Sequence, residues 1–466
     1  MKLTFLGATQ TVTGSKFLLE SKDRRILIDC GLFQGPKDLR LRNWDSPAVD
    51  PRSIDAIVLT HAHIDHTGYL PRFVAHGYKG PVYATPATVD LSRILLPDAG
   101  HLQEEEARYR NKHRLSKHQP ALPLYTLDDA IAALELLRPV KYAELFSMST
   151  TLAFQLLPAG HILGSSFVHF TESSGRTPTT VLFTGDIGRY DQPIIFDPTQ
   201  VDGADYLILE STYGNRLHSD KNGKSGKEQL RDIVVATAER GGTVPIPSFA
   251  IGRAQELLYI LRELELESRI PVLPVFVDSP MAVDAVGIFR EHVEEHDLEM
   301  AQLERSGGSA LYTQRLHFSR TVEESKAIND HRFPSIIISA NGMATGGRIL
   351  HHLIQRLPDE RNAIVFVGFQ AYGTRGRLLS EGARQIRIFG VDYPVRARVH
   401  VIDSFSAHGD YSEILRWLSG FKRAPARTFL VHGESRAIDA MRDHVTTAYK
   451  AWDVEAPQYL QTFELR

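Results

Sequence analysis

Four potential metal ligands, His61, His63, Asp65 and His66, fall within the segment Thr60-His61-Ala62-His63-Ile64-Asp65-His66-Thr67-Gly68. The segment follows Ile54-Asp55-Ala56-Ile57-Val58-Leu59, an apolar, β-branched run that reads as a buried strand. A strand that stops at clustered imidazoles and a carboxylate projects them from a rigid edge. Imidazole and carboxylate without thiolate suit Zn²⁺ or a similar divalent cation, and Mn²⁺ accepts the same set. His61 and His63 alternate and can share one metal, while Asp65 and His66 sit further on and can reach a second.

A pair of metals needs more ligands, and other strand ends supply them. His161 follows Leu156-Leu157-Pro158-Ala159-Gly160, where the glycine permits a tight turn. Asp186 closes Val181-Leu182-Phe183-Thr184-Gly185, and His432 closes Thr428-Phe429-Leu430-Val431. Taken singly, each is more often a turn residue or a cap; histidines at the ends of two separate apolar strands are less ordinary. Asp29, beside Cys30-Gly31, can support an imidazole from behind or make a plain Asx turn. Glu210, ending Leu207-Ile208-Leu209, and His408, in Ser406-Ala407-His408-Gly409-Asp410, are candidates for proton chemistry. A carboxylate that orients a histidine and keeps it protonated makes a general acid near neutral pH.

The elements that must position these groups change style along the chain. As far as residue 210 the pattern is one of short strands at Leu3-Leu6, Arg25-Asp29, Pro81-Ala84, Val181-Asp186 and Tyr206-Glu210, with a charged helix over 102–118. From about 226 strands alternate with helices: 242–247 before 253–264, 272–277 before 281–296, 335–339 before 347–357, and 363–368 before 375–380. That alternation indicates a second, α/β unit. The strand-rich style returns near Asp392-Tyr393-Pro394, and 221–226 reads as an exposed loop. A chain of 466 residues is long enough for two domains. The net charge of -3 gives no global reason to expect nucleic acid, so phosphate binding must come from a local cluster or from metal. The single cysteine excludes an intramolecular disulfide and a Cys-rich zinc module. With no signal-peptide pattern and no membrane-length apolar run, a cytoplasmic location is expected.

In type and order these residues resemble the metallo-β-lactamase superfamily, and within it the β-CASP ribonucleases related to the cleavage and polyadenylation specificity factor endonuclease. Asp29, the 61–66 block, His161 and Asp186 match the shared superfamily motifs; Glu210, His408 and His432 match the three β-CASP motifs. The segments 29–35, 247–256 and 368–377 also look like the family. The resemblance implies an α/β fold of the α+β kind: an αββα metallo-β-lactamase sandwich, residues 1–210 and 395–466, interrupted by an inserted β-CASP domain, 211–394. It implies two Zn²⁺, one on His61, His63 and His161, the other on Asp65, His66 and His432, with Asp186 bridging. A histidine at position 432 goes with RNA rather than DNA in this family.

The implied reaction is hydrolysis of RNA phosphodiesters by an endonuclease, with an added 5′–3′ exonuclease mode left open. Asp65 would orient the attacking water, and His408, backed by Glu210, would protonate the departing 3′ oxygen. In the inserted domain Arg253, Arg348, Thr374 and Arg377 lie in Gly-containing strand–helix turns where backbone N–H groups and guanidinium groups can hold phosphate. The alternative is tight turns with solvated arginines. The partner expected is single-stranded RNA, with no membrane, and a homodimer is an open assembly. A superfamily hydrolase acting on a small ester, thioester, lactam or phosphodiester is the competing enzyme reading, and a non-catalytic scaffold the third. His292-Val293-Glu294-Glu295-His296 fits a zinc-protease spacing but reads as a solvated helix face, and Gly223-Lys224-Ser225 lacks the strand and first glycine of a P-loop.

Overall fold

Period-two alternation along the early and late strands sorts their side chains between two apolar layers. In the computed structural model, which describes every residue except 115–117, 176, 219–222, 306–308, 332 and 369, Ile26 and Ile28 face one layer and Leu27 the other; Ile208 and Leu207 divide in the same way. Lys221 and Asn222 of the expected loop, Phe369 of the family-like segment 368–377, and residues 115–117 of the helix expected over 102–118 fall outside the described residues.

The first compact unit comprises Met1–Gln192, Phe196–Leu217 and His408–Arg466. It holds two seven-stranded sheets. One runs in the order Thr462–Glu464, Lys2–Phe5, Phe17–Glu20, Arg25–Ile28, Ala56–Val58, Val82–Ala84, Leu137–Pro139. The other runs Val454–Glu455, Arg427–Val431, Tyr206–Glu210, Thr179–Phe183, Ser166–Glu172, Leu152–Pro158, Phe146–Ser147. Their inner faces meet through Phe5, Ile28 and Val58 on one side and Phe170, Phe183 and Phe429 on the other. The Phe5 and Phe429 rings lie 5.2 Å apart across this layer. Helical residues Phe73, Leu96 and Ala130 cover the outer face of the first sheet, and Ile414, Trp417 and Met441 that of the second. The result is a helix–sheet–sheet–helix sandwich.

What matters for a site is strand direction. Arg25–Ile28, Ala56–Val58 and Val82–Ala84 are mutually parallel, as are Thr179–Phe183, Tyr206–Glu210 and Arg427–Val431. Parallel neighbours end on the same edge, so their carboxyl ends carry Asp29 and Thr60 in one sheet, and Asp186, Glu210 and His432 in the other. The helix expected over 102–118 spans Pro86–Lys112 instead; Thr85 caps it, its side chain accepting from the Thr88 N–H.

The second unit comprises Pro193–Ile195 and His218–Ala407. Its parallel sheet runs Thr243–Pro247, Ser335–Ser339, Val275–Asp278, Leu316–Phe318. Arg398–Ile402 pairs parallel with Ala363–Val367, which keeps the chain in this unit as far as Ala407. Helix Pro280–Glu291 stops short of the expected 296 because the backbone leaves helical geometry at His292.

One buried carboxylate ties this unit together. Asp278, at the end of its strand, accepts from Ser325 Oγ at 2.6 Å, His352 Nε2 at 2.7 Å and Arg348 Nη1 at 2.8 Å. Burial alone would raise its pKa; the donors from His352, Ser325 and Arg348 outweigh that and hold it below the usual carboxylate value. A depressed carboxylate contributes stability that is present above its unfolded pKa and is lost as pH falls through the lower folded one. Asp278→Ala is therefore expected to cost about 3–5 kcal/mol, because it strands Arg348 and His352 without their partner. Urea unfolding as a function of pH checks this: the variant should also lose part of the acid-dependent decline of the wild type.

Candidate metal centre

The groups gathered at the strand edge of the first unit leave the backbone at unusual angles. His432 has φ of 51° and Asp29 of 58°, a region that ordinary residues avoid. His161 and Asp186 follow Gly160 and Gly185, at φ of 69° and 52°. At Gly185 a Cβ would lie 2.7 Å from the Thr60 side chain, so glycine is also what lets the two sheets' loops approach. Strain of this kind costs about 1–3 kcal/mol per residue and is typical of functional sites. His63, Asp65 and His66 ride on a short helical turn, Ile64–Thr67, whose first flanking residue is His63.

The side chains meet in two groups. Ligand atoms of His61, His63, His161 and Asp186 all lie within 4.8 Å of one another, as do those of Asp65, His66 and His432. Nε2 of His61 is 3.1 Å from Nδ1 of His63, which is 3.2 Å from Nε2 of His161. In the other group Nε2 of His66 is 3.3 Å from Nε2 of His432, with Asp65 Oδ2 3.5 Å from the latter. Asp186 divides itself between them: Oδ2 is 3.4 Å from His61 and 3.5 Å from His161, whereas Oδ1 is 3.4 Å from His66 and 3.3 Å from His432.

This set fits divalent cations. Asp186 Oδ1 is buried and makes no hydrogen bond among the described residues, a condition native interiors avoid unless something else satisfies the oxygen. Burial, together with the charge of His66, holds His61 well below the ordinary histidine value, and burial takes His63 down to about 4. Both are thus neutral imidazoles near pH 7, the form that binds metal. Asp186 would be raised by burial, but His432 and His66 keep it well below the usual carboxylate range.

Behind the ring nitrogens stands a layer of fixed partners. Asp29 Oδ2 is 2.7 Å from His66 Nδ1, and the same carboxylate accepts from Thr60 N at 2.7 Å and Thr60 Oγ1 at 3.0 Å. Thr60 Oγ1 is in turn 3.0 Å from His61 Nδ1, and Thr212 Oγ1 is 3.1 Å from His432 Nδ1. Sequence reasoning missed both threonines. Their only signal is a hydroxyl immediately before His61 and one two residues after Glu210.

His408 lies against the cluster, 3.2 Å from Glu210 Oε1 and 3.9 Å from Asp186 Oδ2, and its ring is 4.6 Å from that of His161. Burial pulls its pKa down, yet the Glu210 and Asp186 carboxylates prevail and hold it at about 9. Glu210 is itself fully buried and accepts from the N–H groups of Ile187 at 2.7 Å and Thr212 at 3.2 Å. The arrangement is a cationic acid beside a ligand cluster.

The four residues expected to hold phosphate lie in the second unit and are largely engaged there. Arg253 is buried and pairs with Glu256. Arg348 bonds Asp278 and the Arg320 carbonyl at 2.7 Å. Thr374 caps helix Arg375–Ser380, accepting from Arg377 N. Arg377 bonds Glu381 through Nε at 2.6 Å and is 39 % exposed. As for the protease-like spacing, His296 Nε2 lies 2.6 Å from the Phe289 carbonyl oxygen, and His292 and His296 belong to no potential metal cluster among the described residues.

Comparison with known proteins agrees with this geometry. Residues 12–217 match the metallo-beta-lactamase superfamily, 254–379 the Beta-Casp domain, and 392–457 the Zn-dependent metallo-hydrolase RNA specificity domain. The chain is 38% identical over 449 residues to Ribonuclease TTHA0252 of Thermus thermophilus, covering 95% of each protein. It is 31% identical to Transcription termination factor FttA of Methanocaldococcus jannaschii over 97% of this chain and 69% of that protein. Among solved structures, a protein of unknown function from Enterococcus faecalis V583 matches over 100% of this chain and 99% of its own, at a TM-score of 0.50 and 13% identity, a likeness of fold.

The Asp29 contacts yield a direct test. In Asp29→Asn the amide presents donors where His66 Nδ1–H and the Thr60 hydroxyl already donate. Loss of such a supporting carboxylate typically weakens metal binding about 10–100-fold. Dialysis against a graded chelator series, with metal content measured at each step, should show that shift.

Proposed function

We propose an RNA-cleaving reaction on one premise: the chain belongs to the β-CASP ribonuclease family of the metallo-β-lactamase superfamily. It is a metal-dependent hydrolase, and its reaction is hydrolysis of RNA phosphodiester bonds. The observation that carries this reading is the division of the Asp186 oxygens between two ligand groups, with His408 and Glu210 alongside. His61, His63 and His161 would hold one Zn²⁺, and Asp65, His66 and His432 the other, with Asp186 shared between them; Mn²⁺ suits the same ligands. Bound cations of this kind supply the acidity that makes water nucleophilic at neutral pH and the charge that steadies phosphate oxygens.

The rest of the chemistry falls to the protein's own groups. Asp65, 20 % exposed, orients the attacking water. His408, protonated near neutrality and kept so chiefly by Glu210, gives its proton to the departing 3′ oxygen, leaving a 5′ phosphate on the downstream fragment. RNA is favoured as the polymer because the matching relative is named a ribonuclease and the C-terminal match is to an RNA specificity domain. We assign the first unit to catalysis and the second to an insertion that contributes to RNA binding; the insertion runs from His218 to Ala407 rather than over the expected 211–394, because Arg398–Ile402 pairs with Ala363–Val367. Of the insertion's four expected contacts, Arg377 is the arginine with the most exposed side chain. Arg384 and Arg387 nearby are exposed and have no carboxylate partner among the described residues. No helix among the described residues is long and apolar enough to cross a membrane. The site is assigned to cytoplasmic RNA processing or decay, with a homodimer as the assembly to test.

Three measurements bear on this. Zinc-loaded protein incubated with labelled single-stranded RNA, single-stranded DNA and a chromogenic lactam should cleave RNA and leave 5′-phosphate ends. Chelation should abolish the activity, and cleavage of the lactam alone would replace this reading with that of a small-substrate hydrolase. His408→Ala should slow RNA cleavage by about 10²–10⁴-fold, while a substrate with an activated leaving group loses much less; equal losses would remove the acid role. Arg377→Glu should raise KM for RNA several-fold with little change in kcat.

A further inference from the structure

We propose that the hairpin formed by Gln385–Ile388 and Val391–Pro394 is a contact for single-stranded RNA, in which Phe389 stacks on a base while Arg384 and Arg387 hold neighbouring phosphates. This rests on the reading of RNA as the polymer the chain handles. The turn of the hairpin is Phe389–Gly390, because the last paired residues are Ile388 and Val391. Both turn residues have positive φ, 50° and 82°, a geometry that asparagine and glycine adopt most readily. Gly390 suits it. Phe389 does not, because a bulky ring at positive φ is uncommon. Nor is the ring hidden in return, since the residue is 53 % exposed. An aromatic side chain kept on a strained backbone and left in solvent is accounted for by a contact that the free chain does not make.

The turn is also held in place. Arg375 donates from Nε to the Arg387 carbonyl at 2.8 Å and from Nη1 to the Thr345 carbonyl at 3.1 Å. The ring of Phe389 lies 5.1 Å from that of His351, itself an exposed residue on helix Ile349–Arg356. Alternation along Gln385–Ile388 buries Ile386 and Ile388 and turns Gln385 and Arg387 outward. The hairpin therefore presents a preset ring beside an outward guanidinium group.

Charge selects the partner. Residues 384–398 include four arginines, Arg384, Arg387, Arg396 and Arg398, all exposed, and a single carboxylate, Asp392. Asp392 stands opposite Arg387 in the ladder, yet none of the four arginines pairs with a carboxylate among the described residues. A chain whose net charge is -3 thus gathers cations at this place. An apolar protein surface docking here would cover guanidinium groups without supplying counter-charge. Single-stranded nucleic acid brings both a π-face for the ring and anions for the arginines.

The test uses the metal-free full chain and a short labelled single-stranded RNA. Phe389→Asn, which the turn geometry accepts, should bind about 5–150-fold more weakly, and Phe389→Trp, which keeps a stacking face, should bind like the wild type. Arg387→Gln should lower the slope of log Kd against log salt by about 0.7. RNA should also quench the emission that Phe389→Trp adds to the chain's three tryptophans. Wild-type affinity in Phe389→Asn, or equal weakening in Phe389→Asn and Phe389→Trp, overturns the proposal. Absence of quenching overturns it even if Phe389→Asn fails to fold. A lower sedimentation mass in Phe389→Asn with RNA affinity unaltered also overturns it and assigns the hairpin to contact between copies of the chain. If the metal-loaded wild type leaves RNA uncut while Phe389→Trp is quenched by it, the cleavage reading fails and the hairpin contact stands.

Discussion

Five imidazoles and two carboxylates turned toward one another in a buried space form an arrangement that hydrogen bonds alone do not satisfy. Ring nitrogens of His61, His63 and His161 converge at separations of 3.1 and 3.2 Å, and the buried Asp186 Oδ1 makes no hydrogen bond among the described residues. A protein interior tolerates such a concentration of acceptors only where positive charge is expected. Much else follows from keeping these groups in place: the left-handed backbones at Asp29 and His432, the glycines before His161 and Asp186, and the hydroxyl and carboxylate partners behind the rings.

The sandwich makes that placement cheap. The loops with His61, Asp186 and His432 follow strands that each have a parallel neighbour, so those strand ends line up on one edge, whereas the loop with His161 follows Leu152–Pro158, whose neighbours are antiparallel. His432 illustrates how tightly the ends are joined: its N–H donates to the Ala8 carbonyl at 2.7 Å, bonding the second sheet's loop to the first. Gly31 performs the complementary task. A Cβ there would lie 1.6 Å from the Asp65 carbonyl oxygen, so the turn after Asp29 and the turn bearing Asp65 are packed backbone to backbone.

Much of this was legible from residue order. Imidazoles and carboxylates at the ends of apolar strands announce themselves, since strand ends are readable from pattern and ligand types are few. Three features were not legible. Threonines beside ligands look like any strand-end threonine until a hydrogen can be traced from donor to acceptor. Gly–Arg turns suit phosphate equally well whether the arginine is open or, as with Arg348 on Asp278, committed to a carboxylate far away in the chain. And the strand-rich style near 392–394 belongs to a hairpin, Gln385–Ile388 with Val391–Pro394, inside the second unit; its pairing depends on long-range register that composition does not carry.

Glu210 shows why roles in such a site do not separate cleanly. One buried carboxylate accepts from Ile187 N, one residue past Asp186; from Thr212 N, whose side chain contacts His432; and it faces His408 Nδ1. The proton donor and both halves of the ligand set are therefore referenced to the same two oxygens. Removing that carboxylate would change the charge that holds His408 protonated and would also release the loops that carry Asp186 and Thr212. Residues that share a partner in this way show coupled, non-additive effects. An acid role assigned from a Glu210 variant alone would thus mix proton transfer with ligand geometry, whereas His408, at the exposed rim with 17 % of its side chain accessible, can be altered with the ligand framework left intact.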